Sequence, residues 1–212
     1  MSPRCERCDK PTGICVCDRV RPREVQTRVL VLQHPEEPDS VLGTARLLEL
    51  ALPSQVRVVV GQSWGSLADA WGEPLGNEGW AVLWRGQLPR ELSPEEDAAA
   101  FLSLDRAGRR SPTVWQGVVV LDGTWAQARS LWWRNPWLLR LGRILLRPKE
   151  PSIYGKVRRE PRPEAVSTLE AVAEVLAWNG EGDEVRAELR ALMRTMVQRA
   201  RDTAPPGLGK RR

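Results

Sequence analysis

Val118, Val119, Val120 and Leu121 form an unbroken apolar run that is followed at once by Asp122, Gly123 and Thr124. A run of strand length with no polar side has nothing to turn toward water, so it belongs to a strand buried on both faces, as in the interior of a parallel sheet. Asp122-Gly123 breaks the strand. Thr124 then caps a helix, with Gln127 three residues on completing a capping box. The helix N-terminus faces whatever lies beyond the strand's carboxyl edge, and its N–H groups favour a carboxylate or a phosphate there. Asp122 is the ionisable side chain at that edge. Taken alone, such a turn is equally consistent with Asp122 merely shaping the bend and Trp125 merely filling core.

The rest of the chain repeats the alternation. Residues 25–33 read as a strand ending at His34-Pro35, which holds the only histidine. A lone histidine is more often a packed residue than a catalyst. Ser40 is expected to cap a helix with Val41, Leu42, Ala45, Leu48 and Leu52 at helical spacing, stopped by Pro53. Residues 55–60 and 80–84 read as strands separated by a Gly- and Trp-rich loop. Ser93 and Glu96 form a second capping box, for a helix expected to reach Leu104. A basic loop with Arg106, Arg109 and Arg110 precedes the central strand, and residues 143–147 read as another strand. An irregular basic, Pro-rich segment leads to a third capping box at Ser167 and Glu170, opening a helix to Trp178. A last amphipathic helix spans about 183–201. Strand and helix alternation of this kind predicts an α/β fold, a largely parallel sheet flanked by helices, with ligands beyond the carboxyl ends of the strands. His34, Asp122 and the 147–168 segment would gather there. No strand is followed by GxGxxG, and no GxxxxGK[ST] offers a phosphate loop.

Cys5, Cys8, Cys15 and Cys17 all lie near the N-terminus. In a reducing compartment four thiolates make a closed tetrahedral zinc site of the structural kind, with no position left for chemistry. Two disulfides or four idle thiols are the alternative. The N-terminus lacks the apolar core of a signal peptide and no stretch approaches the ~20 apolar residues of a membrane span, so the expected address is cytoplasmic, without membrane association. The net charge of +5 rests on 32 basic against 27 acidic residues, mostly arginine. Arginine suits phosphate and stacks on bases, although charge alone leaves nucleic-acid binding an even choice.

Taken together, CERCDKPTGICVC at the start, HPEE at 34–37 with Gly-Thr-Ala-Arg at 43–46, LDGTWAQAR at 121–129 and VRREPRPEAVSTLEA at 157–171 resemble the DTW-domain family of tRNA-uridine aminocarboxypropyltransferases. The resemblance covers nearly the whole chain. It implies a four-cysteine zinc module at 1–24, a SPOUT-like catalytic domain at 25–203 with a C-terminal trefoil knot, and a basic disordered tail at 204–212. It also implies transfer of the 3-amino-3-carboxypropyl group of S-adenosylmethionine to N3 of a uridine in tRNA. Asp122 would then be the catalytic base. Leu121, Gly123, Thr124, Trp125, Ser167 and Thr168 would hold the co-substrate, with Trp125 offering an aromatic face to the sulfonium. His34, Arg46, Arg158, Arg159 and Arg162 would meet the RNA. A SPOUT-type RNA methyltransferase using the same co-substrate, and a non-catalytic RNA-binding protein, are the alternatives.

Overall fold

The structure, a computed structural model, describes residues 3–38, 40–84, 93–111, 114–148, 150–155, 157 and 166–203, and of residues 97 and 98 the backbone alone. The described strands are β1 (Arg28–Gln33), β2 (Val56–Val60), β3 (Trp80–Trp84), β4 (Phe101–Leu104), β5 (Gly117–Asp122) and β6 (Gly142–Leu146), and they form one sheet in the order β2-β1-β5-β3-β6-β4. Every pairing is parallel except that of β4 with β6.

The apolar runs behave as a doubly covered sheet requires. Val29, Val31, Val118, Val120, Ala81 and Leu83 point to one face and join a core with Leu47, Leu48, Val172, Leu176, Leu189 and Met193. Leu30, Leu32, Val119 and Val82 point to the other, against Leu67, Trp71, Trp137 and Leu138. The first face is thus covered by helices α1 (Ala45–Ala51), α5 (Thr168–Leu176) and α6 (Asp183–Thr203). The second is covered by the short α2 (Leu67–Trp71) and a 3-10 turn at Pro136–Arg140. Helix α4 (Trp125–Arg134) buries only Leu131 fully. Two indoles fit because glycine lies opposite them. A Cβ on Gly117 would fall 2.5 Å from the Trp80 ring, and one on Gly142 2.2 Å from that of Trp115.

Three local expectations are corrected. Helix α3 (Pro94–Ala98) ends well short of Leu104, and Phe101–Leu104 is strand β4 instead. Pairing with β6 overrides the helical pattern: Leu102 and Leu104 enter the core, and buried Ser103 accepts the Trp115 indole N–H at 3.0 Å. Ser40 caps no helix. Residues 34–38 and 40–43 form turns, with Glu37 N–H to His34 O, Ser40 N–H to Glu37 O and Gly43 N–H to Ser40 O at 2.9–3.0 Å, and α1 starts only after Thr44. Finally, the Gly- and Trp-rich loop contains α2, whose cap Ser66 accepts from Asp69 N–H and whose end is Gly72 in the left-handed region (φ 83°). Among the described residues no helix is long and apolar enough to cross a membrane.

The amino end of the sheet is closed by the turn after α5. Asn179, 5% exposed, accepts from Trp115 N–H and donates to Trp115 O and Thr27 Oγ1, each at 2.8 Å. Glu181 next to it accepts from the N–H groups of Gln26 and Thr27 and from the Thr27 hydroxyl. The N-terminal segment is docked on α6 by paired Arg199–Asp18 hydrogen bonds of 2.8 and 2.9 Å, and Cys8, Val16 and Val20 share the first core. Removing the Asn179 amide would strand a buried N–H and a buried carbonyl. Asn179→Ala is therefore expected to lower stability by about 2–4 kcal/mol in urea unfolding, with the fold retained.

Candidate functional site

The site begins in strand register. β1 and β5 run side by side with Gln33 abreast of Asp122. Gln33 closes a strand that is otherwise apolar after Arg28, and its Nε2 donates to Asp122 Oδ2 at 2.6 Å. The other oxygen, Oδ1, accepts from the hydroxyl of Thr168, the first residue of α5. The His34 backbone N–H donates to the Asp122 carbonyl at 3.0 Å. One carboxylate thus fastens the carboxyl ends of two strands and the start of a helix, through hydrogen bonds strengthened by its charge.

The turn beyond Asp122 is tight. A Cβ on Gly123 would lie 2.9 Å from that of Gln127 and 3.4 Å from that of His34. Thr124 and Gln127 complete the capping box of α4 reciprocally, and Gln127 Nε2 donates to Glu36 at 2.8 Å, tying the cap to the turn after β1. At α5, Ser167 and Glu170 form a second box. Glu170, 1% exposed, also accepts from Ser152 Oγ and Ile153 N–H at 2.8 Å. The Leu169 N–H donates to Thr44 Oγ1 at 3.1 Å, and the buried Tyr154 hydroxyl donates to Leu42 O at 2.6 Å. The turns after β1, the β5–α4 turn and the residues either side of the α5 start therefore meet in one place.

The cysteines approach it from the amino end of the chain. Their four sulfurs lie within 4.8 Å of one another, with Cys5–Cys17 at 3.8 Å and Cys8–Cys15 at 3.6 Å. A tetrahedron of sulfurs about 2.3 Å from a central zinc has edges of about 3.8 Å, so the donor set and its spacing fit such an ion. Backbone N–H groups of Cys8 and Arg7 hold the Cys5 thiol down to about 6, while burial pushes the Cys8 and Cys17 thiols up. A central cation would offset that burial and keep all four ionised. Between the cysteines, Lys10 is 5% exposed and donates to Ser40 O at 3.0 Å. Burial pulls its ammonium down to about 8, against the opposing pull of Cys8 and, more weakly, of Asp9 and Asp122.

The structure therefore brings together Asp122, Gly123, Thr124, His34, Ser167 and Thr168, with half-buried Leu121 leading in. His34 is 8% exposed and accepts a long 3.4 Å contact from Glu36 N–H at Nδ1. The Thr124 and Ser167 hydroxyls are engaged within their caps, and Trp125 is 40% exposed at the start of α4. Arg46 stands apart, bonded to Glu49 at 2.6 Å and to Arg7 O at 3.3 Å, where it joins α1 to the cysteine segment. Arg158, Arg159 and Arg162 lie outside the described residues. Sequence reasoning misses Gln33, Thr44 and Lys10. Gln33 has a signal, a polar residue closing an apolar strand, whereas the roles of Thr44 and Lys10 are set only by tertiary contact.

Behind Glu170, a cleft of about 530 Å³ opens between β4, the end of β6, α5 and α6, lined in part by Phe101, Arg147, Arg186, Arg190 and Arg194. Its charges largely serve one another, Arg190 with Glu174 and Glu150, and Arg186 with Glu174.

This geometry defines a class: an α/β protein with a mostly parallel sheet, whose polar meeting place lies where such folds bind ligands, beyond the carboxyl ends of the central strands. Within that class the chain belongs to the DTW-domain family, whose pattern matches residues 2–201. It is 30% identical over 179 residues to mouse (Mus musculus) tRNA-uridine aminocarboxypropyltransferase 2, covering 82% of this chain and 56% of the mouse protein. It is 28% identical over 201 residues to the Drosophila melanogaster protein of that name, covering 92% of this chain and 74% of the relative. To tRNA-uridine aminocarboxypropyltransferase A of Arabidopsis thaliana it is 27% identical over 214 residues, covering 92% and 79%. The chain thus spans little more than half the length of its mammalian relatives. No solved structure matches it.

The sulfur spacing sets an expectation. Protein purified under reduction should carry one divalent metal per chain, and chelation should release it while speeding hydrogen exchange across residues 3–20 far more than across β1 and β5. Metal well below one equivalent, measured by plasma mass spectrometry, would count against the site.

Proposed function

We propose that the chain transfers the 3-amino-3-carboxypropyl group of S-adenosylmethionine to N3 of a uridine in tRNA, releasing 5′-methylthioadenosine. Membership in the DTW family points to the chemistry, and the Asp122 carboxylate at the meeting of β1, β5 and α5 is the observation that carries it to a site. The co-substrate supplies a sulfonium whose γ-carbon is open to attack. The new bond joins N3 to that carbon, the carbon–sulfur bond breaks with its electrons going to sulfur, and the N3 proton must go elsewhere.

Asp122 is the acceptor for that proton. Gln33 and Thr168 each occupy one lone-pair direction of an oxygen, which holds the carboxylate in a single orientation and leaves it further acceptor capacity. For the α-carboxylate of the co-substrate, the start of α4 is the better anchor. At α5 the N–H groups of Leu169 and Glu170 are already taken, by Thr44 and Ser167. Gly123 lets that backbone approach closely, Leu121 and Trp125 flank it, and Ser167 and Thr168 close the opposite side.

The same reading assigns zinc to Cys5, Cys8, Cys15 and Cys17 in a structural role, within a module at 1–24 preceding a catalytic domain at 25–203 and a basic tail at 204–212. It places tRNA phosphates on Arg46, Arg158, Arg159 and Arg162, with His34 at the rim of the pocket. A SPOUT-like chain with a C-terminal trefoil knot is supported by the late insertion of β5 between β1 and β3. The return from β6, beyond β3, to α5 over the end of β5 supports it too.

Mass spectrometry of tRNA nucleosides after incubation with the protein and S-adenosylmethionine tests the proposal. An aminocarboxypropyl adduct on uridine with methylthioadenosine as by-product supports it. S-adenosylhomocysteine with a methylated nucleoside would make the chain a methyltransferase, and unmodified RNA would leave it a binding protein.

For Asp122 the informative change is to Asn. The Thr168 hydroxyl can accept as readily as it donates, so an Asn amide can keep both neighbours while losing the charge. Transfer should slow by ~10² to 10⁴-fold, with co-substrate affinity little changed, and recover in part as rising pH ionises N3 unaided. Single-turnover rates across pH check this; transfer at the native rate would remove Asp122 from the chemistry.

A further inference from the structure

Beyond Asp122 the chain changes character. From Gly123 to Pro148 it carries Arg129, Arg134, Arg140, Arg143 and Arg147 and no aspartate or glutamate. Three of these arginines, Arg129, Arg134 and Arg140, are exposed on α4 and the 3-10 turn that follows it. None has an acidic partner among the described residues; Arg134 reaches only the Ser130 hydroxyl, at 3.3 Å. On α6, by contrast, three of the five arginines, Arg186, Arg190 and Arg199, are paired with carboxylates. The α4 surface therefore presents uncompensated positive charge.

The same surface exposes an indole. Trp132 packs against Trp84 with ring centroids 4.0 Å apart, and its neighbour Trp133 is left pointing outward, 75% exposed. Leu139, on the 3-10 turn that follows, is also exposed, at 51%. Arg129 lies one turn before Trp133 on the same side of the helix. A single exposed hydrophobic residue means little. A nearly bare tryptophan among unpaired arginines, on a helix that starts three residues after a candidate proton acceptor, is a different matter.

We infer that Trp133, with Arg129, Arg134 and Arg140, forms a docking surface for RNA, the indole stacking on an unpaired base and the guanidinium groups meeting phosphates. This rests on the tRNA substrate proposed above and says where that substrate continues away from the pocket. Trp133 lies about 12 Å further along the helix axis than Trp125, the rise of three or four stacked bases at about 3.4 Å each. Stacking on an aromatic face together with phosphate contacts by arginine is how exposed single strands and loops are held. A second copy of this chain fits poorly: a symmetric contact through this face would set the three arginines against their counterparts with no acid to offset them.

The test uses the full chain, an unmodified tRNA transcript and two sets of variants. Trp133→Ala should weaken tRNA binding by roughly 5- to 100-fold, the loss of one base–aromatic stack, and Trp133→Phe should restore most of it. Changing Arg129, Arg134 and Arg140 together to Gln should reduce the slope of log K against log salt by about 2 to 3. S-adenosylmethionine titrations and melting temperature should stay near native in both. A tRNA carrying 5-iodouridine should cross-link to the tryptic peptide Ser130–Arg134.

If the native protein transfers the group and both variants bind tRNA with native affinity and salt slope, this surface is wrong while the proposed function stands. If the native protein binds tRNA through this surface but modifies nothing, the function is wrong and the surface stands. A native protein that binds no tRNA overturns both. Loss of a dimer, or of binding to vesicles of phosphatidylserine and phosphatidylcholine, in Trp133→Ala with tRNA affinity unchanged would assign the face to another occupant.

Discussion

The carboxylate of Asp122 accepts from Gln33 on one oxygen and Thr168 on the other, and the architecture around the site depends on both being in place. Gln33 can reach it only if β1 and β5 keep their register, because a slip of one residue would turn its side chain to the opposite face. Thr168 can reach it only if α5 returns over the end of β5 after the chain has passed through β6 at the far side of β3. A polar contact that two distant parts of the chain must satisfy together favours one topology over its near alternatives.

That dependence explains what is legible in the sequence. The strand from Val118 to Leu121 and the helix starts at Thr124 and Ser167 are readable because each is dictated locally, by an apolar run or by side chains three residues apart. Asp122 can be singled out by its place at their junction. Gln33 and Thr168 as its partners depend on strand order, which no local pattern encodes. Strand β4 is hidden for the same reason: Phe101–Leu104 follows a good helix cap, and only pairing with β6 pulls it straight. The turn at 40–43 defeats the local pattern at Ser40, because its carbonyl serves Gly43 and Lys10 in place of a helix.

Lys10 shows how the cysteine segment bears on the site it precedes. The residues that gather four sulfurs also place a buried ammonium on the carbonyl of Ser40, inside the turns that link His34 to Thr44. Those turns are further fixed by Gln127 at Glu36 and by Tyr154 at Leu42. The segment thus acts as a brace for the turns beside Asp122.

The glycines under the indoles carry a consequence for how such a chain can diverge. Trp80 and Trp115 lie where the first residues of β5 and β6 would otherwise place a Cβ, and at neither position is there room for one. An alanine at Gly117 or Gly142 collides with a rigid bicyclic ring, whereas a smaller residue in place of the tryptophan opens a void in the core. Neither partner can drift alone at low cost. In descendants of this sequence the two members of each pair should be lost together or kept together, so that part of its tryptophan content reflects mechanical interlock of indole and glycine across the sheet.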